Sequence, residues 1–371
     1  MADIDQTQIV TLARDIDLVA GDRLHCLEYS LSADSEERHV IGPLGLKIGR
    51  TSPADIVIAD SEVSRGHCMV TIVGEDVVVA DLGSTNGTYV DGTRVTAPTV
   101  LPVGSVLQVG NRSIKHEWRT SSEIKQSDDF NRELKMAASY VRALLPEPVT
   151  DQSIRARWTY LPSAKLGGDA FGYGHLRDEL FVCYLVDVAG HGAGAAMHAV
   201  AIMNQLRQHA LPNTDMADPA AVLRRLNELF QMDEHAGLYF TIWYGVYDGA
   251  TRRLEYASGG HHASYLVSRD RSEAMPLRTR NTLIGAMPGI QYKSDSLIVP
   301  NGHRLFIFSD GVYEIIDKDG KQWGIADFVA LLQNGPEDHA DETNRLYREV
   351  CARARPDTLD DDFSLVMLTF D

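Results

Sequence analysis

Between residues 22 and 118 the chain alternates short apolar runs with turn residues: RLHCLEYS, GLKIGR, DIVIAD, HCMVTIVG, DVVVADLG, GTYVDGTRV and SVLQVG. Many short runs at this spacing predict a β-sandwich. Asn86-Gly87 and Asp91-Gly92 tolerate positive φ and predict tight turns. The pattern changes at Thr120-Ser-Ser-Glu123. From 128 to 145, apolar residues fall at Phe130, Leu134, Ala137, Val141 and Leu144, one helical stripe that Pro146 and Pro148 end. This helix reads either as an amphipathic linker packed on its neighbouring domain or as a dimerising coiled coil. From Ala156 onward longer strands mix with helices. ELFVCYLVDVAG, LYFTIWYGVYD, LEYASGG, HRLFIFSDG and DDFSLVMLTF predict strands. GAAMHAVAIMNQLRQHA, IADFVALLQN and HADETNRLYREVCARA predict helices. The divisions that follow are a flexible tail (1–21), an all-β domain (22–118), a linker with its helix (119–148) and an α/β domain (149–371).

Composition changes this picture little. With 371 residues, 44% hydrophobic and 23% charged, the chain has room for two globular cores. A formal charge of -17 argues against nucleic acid or anionic lipid as the main partner, whereas a cluster of carboxylates would suit divalent cations. Cys26, Cys68, Cys183 and Cys351 form no CxxC pair, which favours a reducing compartment. The N-terminus lacks a signal-peptide pattern, and no apolar run approaches a membrane span. A cytoplasmic protein without a membrane partner is expected.

Four pieces of the first domain supply what a phosphate needs: Gly49-Arg50, Ser64-Arg65-Gly66-His67, Asp81 to Thr88, and the turn at Asp91-Gly92. Loops from different strands converge at one end of a sandwich. There a guanidinium fork, hydroxyls and an amide can read a phosphorylated side chain. Together these pieces resemble the forkhead-associated (FHA) domain, which binds phosphothreonine peptides. The resemblance implies that Arg50 and Ser64 contact the phosphate and that Thr85 and Asn86 contact the peptide, while His67 and Gly49 are architectural. Thr7, with acidic flanks and Val10 at +3, or Thr11, would be a ligand in cis or in trans once phosphorylated.

The second domain carries its chemistry on aspartates. Asp187 ends one strand and opens DVAGHGAG; Asp310 ends another and opens SDG; Asp361 begins DFSLVMLTF. If the last strand runs antiparallel to the other two, the three carboxylates meet at one edge of a sheet. Asp361 and Asp362 are neighbours on a strand, so only one reaches a given ion. Such a cluster needs compensating charge, which hard divalent ions supply through oxygen ligands. Two of them can share a bridging hydroxide for in-line attack on phosphorus.

GGDAF (167–171) is one letter from the GGDEF signature of diguanylate cyclases, yet Ala170 stands where that site needs an acid. The set LLPEP, GGDAF, DVAGHGAGAA, ASGGHHASYL, TLIGA, FSDGVYE and DDFSLVML instead resembles the PPM (PP2C-type) serine/threonine phosphatases of the SpoIIE/RsbU-like bacterial branch. That resemblance implies an αββα fold, two packed antiparallel sheets flanked by helices, and two Mn2+ or Mg2+ ions. Asp187 would bridge both ions, the Val188 carbonyl would assist one, Asp310 and Asp361 would hold the other, and Asp169 would serve the site directly or through water. His191, His261, His262 and Glu314 fit structural roles better than ligation. No Cys has an Arg six positions on, and no GxxxxGK[ST] loop is present, so thiol phosphatase and P-loop chemistry are unsupported.

The function expected is a metal-dependent protein phosphatase recruited by its FHA domain. Its substrate would be a STAS-type anti-anti-sigma factor or a protein of a serine/threonine-kinase pathway. In this branch the position of the linker helix is regulatory and dimerising, so a homodimer, and a helix that moves on phosphopeptide binding, are implied. The branch usually places a second Asp three residues after the GGD aspartate, where this chain has Gly172. That leaves Asp169 alone, and a phosphothreonine-binding scaffold with an inactive or weakly active phosphatase domain is the alternative.

Overall fold

The structure, a computed structural model, describes residues 23–32, 35–150, 153–177, 179–336, 341–355 and 361–371. Thr7 and Thr11 lie outside the described residues. The chain forms two compact units, 1–133 and 134–371.

The first unit carries strands β1 (Arg23–Ser32), β2 (Ser35–Val40), β3 (Leu46–Gly49), β4 (Ile56–Val57), β5 (Cys68–Val73), β6 (Asp76–Asp81), β7 (Thr88–Val90), β8 (Thr93–Arg94), β9 (Thr99–Val100), β10 (Val106–Val109) and β11 (Arg112–Thr120). They form two sheets, ordered β2-β1-β11-β10-β7-β8 and β4-β3-β5-β6-β9. Period-two alternation turns one face of each inward: Leu107 and Val109 on β10, Val77 and Val79 on β6, joined in the core by Leu27, Ile48 and Ile114. Asp91 and Gly92, both at positive φ, make the two-residue turn between β7 and β8. Asn86-Gly87 closes the loop into β7 rather than a hairpin, with only Gly87 at positive φ.

Helix α1 (Ser121–Leu144) starts directly after β11, seven residues before the apolar stripe predicts. Its start is a capping box: Glu123 accepts from the Thr120 amide at 2.7 Å, and Thr120 Oγ1 accepts from the Glu123 amide at 3.2 Å. Satisfied end donors carry the helix through a first two turns that have little apolar patterning. None of its residues is fully buried, and Phe130 is largely exposed, whereas Leu134, Val141 and Leu144 are half-shielded.

The second unit contains β12 (Val149–Thr150), β13 (Ile154–Leu161), β14 (Asp169–Arg177), β15 (Leu180–Val188), β16 (Phe240–Asp248), β17 (Arg253–Gly259), β18 (Ser264–Val267), β19 (Ala274–Leu277), β20 (Asp295–Ile298), β21 (Arg304–Phe308) and β22 (Phe363–Phe370). One antiparallel sheet is ordered β12-β13-β22-β21-β18-β19 and the other β14-β15-β16-β17-β20. Helices α2 (Ala193–Arg207) and α3 (Pro219–Leu229) cover the second sheet; α4 (Ile325–Gln333) and α5 (Glu342–Arg353) cover the first. Runs such as LFVCYLV and FSLVMLTF are almost wholly apolar, and the second is buried at every position, because both faces of each sheet are covered. The inner faces meet through contacts such as Phe171 on β14 against Trp158 and Tyr160 on β13. Among the described residues no helix is long and apolar enough to cross a membrane.

Candidate functional site

In the first unit Arg50, Ser64, Thr85 and Asn86 line one cleft of about 500 Å3. The Ser64 hydroxyl accepts from the Thr85 amide at 3.0 Å, and Asn86 Nδ2 donates to the Glu62 carbonyl at 2.9 Å, so two loops are fastened at the cleft. Arg50 Nη1 reaches the Ser61 carbonyl only at 3.5 Å and is exposed. His67 holds the cleft from beneath. Its Nδ1 accepts from the Ser64 amide at 3.1 Å and its Nε2 donates to the Gly87 carbonyl at 3.1 Å. At Gly49 an added Cβ would stand 2.3 Å from the Arg65 carbonyl oxygen, so that crossing needs glycine. Asp81, which opens the third motif piece but has no role of its own in the motif reading, accepts from Gly83, Ser84 and Thr88 and thereby shapes the loop that presents Thr85 and Asn86.

The carboxylates of the second unit gather at one end of the sandwich, between its two sheets. Asp169 on β14 lies directly opposite Asp187 on β15 in the five-stranded sheet. Asp310 follows β21 and Asp361 precedes β22 in the six-stranded sheet. The expectation of one shared sheet edge is therefore replaced by a meeting of two sheets, because Asp187 and the Asp310–Asp361 pair sit on different layers. Glycines permit the approach. An added Cβ would come within 2.3 Å of Asp362 Oδ2 at Gly167, 2.8 Å of the Val188 carbonyl oxygen at Gly168, and 2.4 Å of the Asp362 carbonyl oxygen at Gly311.

Asp361 and Asp362 divide their tasks. Asp361 is exposed, whereas Asp362 is buried and accepts from Ser163 N (2.7 Å), Ser163 Oγ (2.9 Å) and Asp169 N (3.2 Å). Asp362 thus clamps the GGD turn and leaves Asp361 facing the site; only the DD doublet in the sequence hinted at this second role.

Like charges at such proximity have an electrostatic cost. Burial, then Asp310, Asp361 and Asp362, push Asp187 up to about 7, with a hydrogen bond from Thr241 partly offsetting them. Burial, then Asp187 and Asp362, hold Asp169 well above the ordinary carboxylate range. Burial, then chiefly Asp310, also raises Asp361. Asp169 Oδ2 is buried without a hydrogen-bond partner. An oxygen-only donor set with an orphaned buried oxygen and mutually repelling carboxylates fits a hard divalent cation. Among the described residues no three His, Cys, Asp or Glu side chains are grouped closely enough to hold a metal ion by themselves. Mg2+-type ions are commonly held by one or two carboxylates with water completing the shell.

His261 is structural. Its Nε2 donates to the Phe308 carbonyl at 3.1 Å and its Nδ1 lies 2.8 Å from the Thr241 hydroxyl, joining the sheets, and burial drives its pKa well below the usual value. Thr241, opposite Asp187 on β16, had no motif to announce it. His262 stacks on His261 and packs on Phe308 and Tyr313; His191 is exposed, as is Glu314, whose carboxyl is raised by burial and Asp310.

Gly172 proves unrelated to the carboxylate cluster. It stands three residues from Asp169, hence on the opposite face and about 10 Å along the strand. There it pairs with Tyr184, whose hydroxyl would be 2.3 Å from an added Cβ. A carboxylate at 172 would meet a packed ring near α2, so its absence removes no ligand from the site.

Comparison with known proteins agrees with this architecture. Residues 46–110 match the FHA domain profile, and residues 177–371 match that of stage II sporulation protein E (SpoIIE). Phosphoserine phosphatase RsbU of Bacillus subtilis (strain 168) is 23% identical over 263 residues, 71% of this chain and 76% of RsbU. Phosphoserine phosphatase RsbP of the same organism is 29% identical over 187 residues, 49% of this chain, and the match spans only 45% of RsbP. The SiaA-PP2C domain of Pseudomonas aeruginosa has the same fold, with a TM-score of 0.57 at 18% identity over 66% of this chain and 99% of that one. The chain thus belongs to the SpoIIE family, its PP2C-like domain preceded by an FHA domain.

Proposed function

We propose that this protein is a metal-dependent protein serine/threonine phosphatase of bacterial phospho-signalling, acting in the cytoplasm. The observation that carries the reading is Asp187, pushed up to about 7 by burial and by three neighbouring carboxylates, beside the orphaned Asp169 oxygen. Mn2+ or Mg2+ bound there would polarise the phosphoryl oxygens and make water a competent nucleophile near neutral pH. Asp187, Asp310 and Asp361, with the Val188 carbonyl, would hold the ions, and Asp169 would hold their water. Asp362 keeps the GGD turn in place through Ser163 and the Asp169 amide. The products would be inorganic phosphate and the free hydroxyl, formed without a phosphoenzyme.

The Arg50 cleft supports phosphothreonine binding as the recruiting activity: an exposed guanidinium with only a 3.5 Å contact to the Ser61 carbonyl lines the cleft with a fastened Ser64–Thr85 loop pair, the donors a phosphate dianion takes. A STAS-type protein or a protein of a kinase pathway would be the substrate. The scaffold alternative loses the support it drew from Gly172, which lies off the site. Purified protein with Mn2+ is expected to hydrolyse p-nitrophenyl phosphate and a phosphopeptide, and Asp187→Asn to abolish both. A wild type as inert as that variant would return the scaffold to first place.

A further inference from the structure

We infer that Arg278 and Arg280 form a cationic rail beside the acidic site, which engages acidic residues flanking the phosphorylated side chain of a protein substrate. The inference rests on the phosphatase reading above. Strand β19 is the outermost of its sheet, and its last residue, Leu277, is buried opposite Ser264. Past it the chain is bolted down at alternate positions. Thr279 Oγ1 accepts from the Ser258 amide at 2.7 Å, and Asn281 Nδ2 donates to the Ser258 carbonyl at 3.1 Å and the Lys293 carbonyl at 2.9 Å. The intervening Arg278 and Arg280 are exposed and make no hydrogen bond or ion pair among the described residues.

Their position follows from the register. Arg278 directly follows Leu277, whose partner Ser264 stands two residues past His262. His262 packs on Tyr313, in the turn that Asp310 opens, and it feels the charges of both Arg278 and Asp310. Two strand spacings separate β19 from β21, about 10 Å. An extended substrate advances about 3.3 Å per residue, so residues about two to four from the phosphorylated one meet the rail.

Sign and rigidity both argue for a partner. The chain carries a net charge of -17, which repels an acidic phosphoprotein at long range. Two exposed arginines on a segment fastened to Ser258, the first of them acting on His262, reverse that locally, and a fixed backbone lowers the ordering cost of using them. Their part is positioning the substrate, away from the reacting atoms.

The test uses the full chain with Mn2+ and three substrates: p-nitrophenyl phosphate, and two phosphoserine peptides with acidic or neutral flanks. Phosphoserine keeps the peptides from competing for the Arg50 cleft. Arg278→Ala/Arg280→Ala is expected to raise KM for the acidic peptide about 5- to 20-fold at low salt. Its kcat, the neutral peptide and p-nitrophenyl phosphate stay within about twofold. The double Lys variant recovers part of the KM, and the double Glu variant inverts the preference toward a basic-flanked peptide. Equal KM changes for acidic and neutral peptides, or none for either, overturn the rail. A wild type inert on p-nitrophenyl phosphate overturns the phosphatase reading instead, and the rail with it.

Discussion

Asp187→Asn tests the electrostatics of the site independently of turnover. A carboxyl with an ordinary value near 4 and a folded value of about 7 is favoured in its protonated form by the folded state. Its contribution to stability is therefore intact below about pH 4 and lost as pH rises to about 7. That gap, at about 1.4 kcal/mol per pH unit, is worth about 4 kcal/mol. Asp187 keeps some exposure, so screening leaves about 2–3 kcal/mol. The neutral isostere escapes this cost. In EDTA at pH 8 it should raise the Tm of this unit by about 5–10 °C. At pH 5, where the wild-type carboxyl is already mostly protonated, the gain should shrink to about 1 kcal/mol. Mn2+ should stabilise the wild type at pH 8 and leave the variant almost unmoved. Thermal unfolding at two pH values, with and without metal, reads all of this. A variant no more stable than wild type in EDTA at pH 8 would refute the claim that burial and like charge raise Asp187.

Other expectations are simpler. Arg50→Ala should weaken phosphothreonine-peptide binding by about 10- to 100-fold in fluorescence anisotropy, with stability changed by less than about 0.5 kcal/mol. Gly172→Asp should cost about 2–4 kcal/mol in denaturant unfolding, because the new side chain enters the Tyr184 ring. Calorimetry should show no gain in Mn2+ affinity from it. Glu342→Ala leaves the buried Arg271 guanidinium without the carboxylate at 2.9 Å, and should destabilise by about 3–5 kcal/mol in the same assay.

Both sandwiches were legible because burial imposes simple patterns: alternation on β6 and β10, long mostly apolar runs on β15 and β22. The carboxylates at strand ends were visible too, since turns and acids punctuate the runs. Their arrangement on two layers was not, because strand order is set by long-range pairing that local pattern does not encode. The start of α1 was written in Thr120-Ser-Ser-Glu123, but the apolar stripe outweighed it as a signal. Thr241 and Asp362 stayed hidden for a different reason. Each acts through a neighbour in space, and neither residue type is unusual where it stands.

The Gly172–Tyr184 contact also bears on how this sequence can change. A ring seated over a bare glycine makes the two positions depend on each other: an acid at 172 is admissible only after the residue at 184 has become small, and the intermediate with a small 184 over Gly172 carries a void in a buried layer. Neither order of single steps is neutral. The contact is a ratchet, and chains with an acid at this position should carry a side chain smaller than tyrosine opposite it.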